Sequence, residues 1–260
     1  AAMELLKSHA DFLDSQYLIA FAEAQRLHRY VTGEGVGYIS AKGEWFIAPQ
    51  FDWAERVFRA ESALPHDPNS ADYAPESLLT VAEVFQGETQ ATAEDTVPVN
   101  GLYGLVRNDG ELIVPARYNA VLWTVDGVAA VTDAQGAHLF SLTTGEPIGD
   151  VYEEIGAYAG GFISVRQNGL WAYLNPVTGE TLGDGFVWET AQAFSEGRAA
   201  ISKDQLYGYI DLKGKTVIPL QYTGAASYSE GKAAVRVKKK WGFIDTAGTM
   251  LIAPAYAEVG

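Results

Sequence analysis

One spacing governs what this chain can become. Tyr118, Tyr152, Trp188, Tyr222 and Tyr256 follow one another at 34, 36, 34 and 34 residues, and Gly127, Gly161, Gly197 and Gly231 each stand nine residues after the first four. Two ladders locked at one offset are an internal repeat. A period in the mid-thirties means units too small to bury a core alone, which must stack on their neighbours. The residues that recur most faithfully are therefore accounted for by the fold and say little about chemistry.

Within each period a turn glycine recurs, at Gly43, Gly110, Gly145, Gly179, Gly214 and Gly248. Strand-like segments flank it, such as 103–106 with 112–114 and 241–244 with 250–252, which is the pattern of a β-hairpin. A further apolar segment precedes each hairpin, at 97–99, 128–131, 162–165, 199–201 and 233–237. Pro49, Pro115, Pro219 and Pro254 close the last strand, where a missing N–H is tolerated. The expectation is an all-β repeat array over 36–260, of about six three-stranded antiparallel meanders with a period of about 34 residues. His138 takes the aromatic position in the third, degenerate module. Gly at 27 of 260 residues suits such a turn-rich chain.

Residues 3–31 read as an N-terminal α-helix. Leu6, Ala10, Leu13, Tyr17, Ala20, Phe21, Ala24, Leu27 and Tyr30 recur at three and four residues with no Gly or Pro between. Within a 1–35 segment this helix is expected to cap the array. An open solenoid-like array is favoured, with a propeller-like ring as the alternative, because circular closure usually uses four-stranded blades.

Residues 60–96 break the period. They carry eight Asp and Glu and no Lys or Arg, more than half of a net charge of −15. Residues 64–75 read as loop, and Pro75-Glu76-Ser77 reads as the start of a helix running to Phe85. Phe85-Gln86-Gly87 suggests a late aromatic–Gly corner. The stretch reads as an acidic insertion, with a decayed seventh module as the alternative. Long insertions in compact domains are often functional.

The most complete period reads Tyr207-Gly208-Tyr209-Ile210-Asp211, Gly214, Ile218-Pro219, Tyr222, Tyr228-Ser229-Glu230-Gly231, Ala233-Ala234-Val235. It recurs as Trp241-Gly242-Phe243-Ile244-Asp245, Gly248, Ile252-Ala253-Pro254 and Tyr256, and Phe194-Ser195-Glu196-Gly197 matches again. This pattern resembles the WG (KWG) β-repeat family. Ala172 stands where the pattern has Gly, and Val36 where it has an aromatic. The resemblance implies an all-β array and carries no catalytic residue. On physical grounds the aromatic rungs belong between modules, Asp211 and Asp245 bond turn backbone, and the Glu-Gly corners bond a neighbouring module.

The remaining chemistry is sparse. There is no cysteine, so disulfides and thiolate chemistry are excluded. His9, His28, His66 and His138 do not pair at metal-ligand spacing, and no His-Glu-x-x-His occurs. Gly214-Lys215-Thr216 ends like a phosphate loop but lacks its earlier glycine. Asp126, Asp133, Glu153 and Glu154 lack the spacing of a calcium loop or a glycosidase pair. Arg236 and Lys238–Lys240 form the only basic run and read as a solvated face. The acidic field disfavours nucleic acid and anionic membrane. No apolar run is long enough for a spanning helix, and no basic leader is visible, so the expected location is cytoplasmic.

The expected function is therefore non-enzymatic, without catalytic residues, metal or cofactor: a module that binds a basic protein partner, with a bacterial toxin and its neutralising immunity protein as the specific form. The candidate contact residues are Glu61, Asp67, Asp72, Glu76, Glu83, Glu88, Glu94 and Asp95, with Trp53 and Trp123, which fall off the main ladder. The alternative is a carbohydrate or cell-envelope ligand stacked on exposed aromatics among Trp45, Trp53, Trp123 and Trp188. The oligomeric state is open.

Overall fold

The computed structural model describes residues 27–40, 43–55, 59–62, 78–93, 95–107 and 109–258. The chain falls into two compact units, one ending at Ile148 and one beginning at Gly149. Every regular element among the described residues is a β-strand, and the strands form six small open antiparallel sheets, five of them linear in strand order and one branched at the strand Leu78–Ala91, which pairs with three others.

The first unit holds three sheets. The first contains β1 (His28–Thr32), β2 (Gly35–Ile39) and β3 (Trp45–Phe51). The second contains β4 (Trp53–Ala54), β5 (Arg59–Ser62), β6 (Leu78–Ala91), β7 (Thr96–Arg107) and β8 (Leu112–Tyr118), and the third β9 (Ala120–Val125), β10 (Val128–Thr132) and β11 (Ala137–Ser141). The second unit begins with a sheet of β12 (Glu154–Ala159), β13 (Phe162–Gln167) and β14 (Leu170–Leu174). Its other sheets are β15 (Thr190–Ala191), β16 (Arg198–Lys203), β17 (Leu206–Asp211) and β18 (Thr216–Tyr222), then β19 (Gly224–Ala225), β20 (Lys232–Val237), β21 (Lys240–Asp245) and β22 (Met250–Tyr256).

The ladder aromatic marks the crossing between sheets. Phe51, Tyr118 and Tyr222 are each followed two residues later by the first residue of the next sheet, Trp53, Ala120 and Gly224. All three are buried, and within each unit the core lies between consecutive sheets. Tyr118 packs with Leu105 and Val114 before it and Ala129 and Val131 after it, and Tyr222 with Tyr209 and Ile218 before it and Ala233 and Val235 after it. Each sheet thus buries its faces only by stacking, as a repeat of this length requires.

The glycine of the aromatic-Gly-aromatic motif has a steric cause. The ladder between β17 and β18 shifts register between Tyr207 and Tyr209, a bulge that brings the partner backbone onto Gly208. A Cβ there would sit 2.5 Å from the Ile218 carbonyl oxygen. Where Ala172 replaces this glycine, the closing strand is reduced to isolated bridges, Trp171 with Trp188 and Leu174 with Thr181.

Three expectations require correction. The helix expected over 3–31 lies outside the described residues up to 26, but His28–Thr32 is strand, so the repeat fold starts ahead of residue 36. Tyr30, Val31 and Thr32 favour a pleated surface, and Gly33-Glu34 turns the chain so that Thr32 pairs with Gly35 and His28 with Ile39. The helix expected to run to Phe85 is β6 from Leu78 on, because pairing to β4, β5 and β7 outweighs a local helix start. Phe85 is consequently no corner residue: it lies mid-strand, paired with Tyr103 and Trp53. The loop expected at 64–75 lies outside the described residues.

Candidate protein-contact surface

Repeat contacts account for most polar side chains that the sequence singles out. The Asp211 carboxylate accepts from the N–H groups of Lys213 (2.9 Å) and Lys215 (3.0 Å), and Asp245 accepts from Ala247 (2.9 Å) and Thr249 (2.8 Å). Burial pulls the Asp211 carboxyl upward, but these N–H groups with the Arg198 charge hold it below the usual carboxylate range. Glu196 accepts from the Gly231 N–H at 2.9 Å, joining one corner to the next. Tyr209 donates to the Ala226 carbonyl (2.7 Å), Tyr173 to that of Gln192 (2.7 Å) and Tyr38 to that of Glu55 (2.6 Å), and burial raises all three hydroxyls. His138 lies against the Tyr118 ring and 2.9 Å from Asp133. Lys238–Lys240 are exposed at the β20–β21 turn, and the Arg236 guanidinium stacks on Trp241. Among the described residues no group of three or more His, Asp or Glu is placed to hold a metal ion.

The second sheet departs from this economy. Ala191 pairs with Ile201 and Ala225 with Val235, each ten residues on, whereas the corresponding Ala54 pairs with Val84, thirty residues on. Ile201 pairs with Gly208 and Val235 with Gly242, seven residues on, whereas Val84 pairs with Gly104, twenty residues on. The extra length therefore enters at two places, on either side of a segment around Val84 that keeps its repeat position. The described residues hold no further sheet between the first and the second.

The second expansion is a hairpin arm. Where β16 and β17 join through the two residues Asp204 and Gln205, β6 and β7 continue past Phe85 and Tyr103 until Ala91 pairs with Thr96. A register shift between Glu88 and Thr89 leaves Val99 outside the pairing. Val97 (40% exposed) and Val99 (59%) stand open to solvent with Glu88 and Asn100. The arm is tied down at both ends. Gly87 N–H donates to Asp52 at 2.8 Å, and Arg29 of β1 donates to Asp95 at 2.9 Å. A cleft of about 280 Å³ separates the arm from the first hairpin, lined by Arg29, Glu34, Asp52, Thr89 and Thr96.

The expected contact residues do not share one environment. Asp67, Asp72, Glu76 and Glu94 lie outside the described residues, and Glu61 is placed only by its backbone on β5. Glu83 is half-buried on β6, its N–H bonded to the Glu55 carboxylate. Asp95 spends its carboxylate on Arg29 and on the Thr96 N–H. Glu88 is exposed on the arm, while Trp53 and Trp123 are half-buried on β4 and β9. Val97 and Val99, the exposed apolar residues beside Glu88, are absent from the contact residues expected from sequence. The segment 97–99, expected as a separate strand ahead of the hairpin, instead extends the strand Thr96–Arg107, because the strand that precedes the hairpin is Leu78–Ala91. Trp45 is 47% exposed and meets the Tyr30 ring edge-on at 5.7 Å, beside exposed Phe46.

A family model described as WG containing repeat matches residues 37–59, 103–133, 144–171, 207–241 and 241–260, more than half of the chain. It leaves 60–102, 134–143 and 172–206 unmatched between these segments. No curated protein matches the chain. Among solved structures, one described as a crystal structure of the eukaryotic initiation factor is similar at 12% identity and a TM-score of 0.38, over 90% of this chain and 64% of that one. The AfRom2 CNH domain is similar at 11% identity and a TM-score of 0.27, over 86% of this chain and 75% of that domain.

Proposed function

The chain belongs to the WG-containing repeat family, and we propose that it is a non-enzymatic protein-binding module whose irregular second sheet contacts a basic protein partner. The observation that carries this reading is the arm: a two-stranded projection with exposed Val97 and Val99 beside Glu88, in a segment with eight acids and no base. Apolar contact flanked by one sign of charge gives affinity and steering together. The narrower form is a basic toxin held inactive by its acidic immunity protein.

The test compares the chain with a variant in which Glu88–Asn100 is replaced by Asn-Gly, a two-residue hairpin turn, combined with Arg29→Met so that no guanidinium is left buried without Asp95. Deleting 60–96 outright would remove Val84 and Phe85 from the core and report only unfolding. Both proteins are used as bait in host lysate at low and moderate salt, and captured proteins are identified by mass spectrometry. A stoichiometric basic protein that weakens with salt and is lost from the folded variant supports the reading. A partner retained by the variant, or no partner at either salt, overturns it.

The exposed Trp45 and Tyr30 pair favours the second reading, a saccharide stacked on aromatic faces. Soluble cell-wall fragments that shift tryptophan emission in the parent chain but not in Trp45→Ala would support it; identical traces would remove it.

A further inference from the structure

The fourth and fifth sheets, both in the second unit, close their hairpins differently. In the fifth, Tyr207 pairs with Tyr222, Tyr209 with Ile218 and Ile210 with Thr216. In the fourth, Trp171 meets Trp188 and Leu174 meets Thr181, the equivalents of the first and last of these pairs, and the middle pair has no counterpart. Counted from Thr181, Gly183 holds the place of Ile218. Its φ of 65° is one that a branched side chain does not adopt. Trp188 follows it by five residues, where Tyr222 follows Ile218 by four.

The missing isoleucine leaves a hollow. Ile218 is 2% exposed, clusters with Tyr222 and Ile244, and lies under the next repeat's turn, where a Cβ on Gly248 would stand 3.3 Å from its Cγ1. The same surround is present at Gly183, as Trp188, Ile210 and Gly214, and it encloses a cleft of about 110 Å³. A Cβ on Gly183 would have no neighbour closer than the Gly214 carbonyl oxygen at 3.8 Å. Sites for whole small ligands start at roughly 300 Å³; this one has room for a single side chain, as its counterpart holds Ile218.

The cleft has two kinds of wall. Leu182, Trp188 and buried Ile210 make its apolar side. Exposed Thr216 and Asp184 stand at its rim, and Asp184 is the one charged residue among the described residues that line it. Lys213 and Lys215 flank Gly214 outside the lining. Apolar walls under one acid suit an aliphatic stem with a cationic head, and an indole ring adds cation–π attraction. We propose that this cleft receives one lysine side chain of a protein partner, its stem against Leu182 and Trp188 and its ammonium at Asp184. This rests on the reading of the chain as a binder of a basic protein, but it uses no residue of the arm.

Amide NMR spectra of the isotope-labelled full chain, titrated with Nα-acetyl-lysine amide, test the site. The Gly183, Asp184 and Gly214 amides should shift and saturate. Nα-acetyl-norleucine amide, which keeps the stem and lacks the charge, should bind about threefold or more weakly, and Asp184→Asn should weaken lysine by a similar factor while leaving norleucine unchanged. Thr216→Phe, at an exposed position, should fill the mouth and abolish the shifts while distant resonances keep their places. The variant lacking Glu88–Asn100 should titrate as the parent does, so that this cleft and the arm stand or fall separately. No saturable shift at these three amides overturns the proposal. So does equal binding of lysine and norleucine, or shifts that survive in Thr216→Phe.

Discussion

The fifth sheet and the second are built on one register, and they use it differently. In the fifth, β16 turns into β17 through Asp204 and Gln205, both with positive φ, the two-residue turn whose twist matches the strands. In the second, the equivalent join is the arm, and a second expansion precedes it. The positions between these expansions still obey the repeat: Val84, Leu105, Val114 and Tyr118 are as buried as Ile201, Tyr209 and Ile218. Extra chain is tolerated where it projects from a join and excluded where sheets stack. The cost of lengthening a surface loop grows only slowly with its length.

The largest effect should come from the position the two sheets share most strictly. A side chain at Gly208 would meet the Ile218 carbonyl at 2.5 Å, and one at Gly104 would meet that of Val114 at 2.5 Å, backbone in both cases. Gly208→Val and Gly104→Val are therefore each expected to cost roughly 4 kcal/mol or more and to unfold their own unit, as read by hydrogen exchange. If Gly104→Val left the first unit intact, the second sheet would not be a true repeat and the comparison would break.

Much of this was legible in the chain and some was not. Tyr118 and Tyr222 located sheet crossings, because a residue buried between stacked sheets must recur with the period. Asp211 and Glu196 were readable as turn and corner bonds for the same reason. The strands at His28–Thr32 and Leu78–Ala91 were not, since both are decided by partners distant in sequence while their local pattern also suits a helix. The candidate surface was only partly readable. Charge counts flagged Glu88 and Asp95 alike, and only the fold distinguishes an exposed acid from one paired with Arg29.

Alkaline pH should separate the units next. Burial raises the hydroxyls of Tyr173 and Tyr209, and pushes that of Tyr228 up to about 12, in the second unit. In the first unit Tyr38 is raised likewise, while the second sheet has Leu105 at the Tyr209 position. A folded pKa above the unfolded value of about 10 gives a stabilisation that is complete below pH ~10 and is lost as pH rises toward the folded value. Each pH unit by which the unfolded hydroxyl titrates first is worth about 1.4 kcal/mol per tyrosine. The second unit should therefore lose protection first between pH ~10 and ~12, and Tyr209→Phe should delay that loss. Simultaneous loss in both units would mean that they unfold as one.

The smallest effect compares two corners that share one register. Glu196 and Glu230 occupy the same corner, both exposed and both at positive φ, but among the described residues only Glu196 bonds a following corner, through the Gly231 N–H. Glu196→Ala removes that acceptor and should cost about 1 kcal/mol, the usual net worth of such a bond. Glu230→Ala removes an exposed side chain with no such bond among the described residues and should change stability by less than about 0.5 kcal/mol in dilute solution. Urea melts at low protein concentration read both values. If the two substitutions cost the same there, the corner bond contributes nothing and stacking rests on the apolar faces alone.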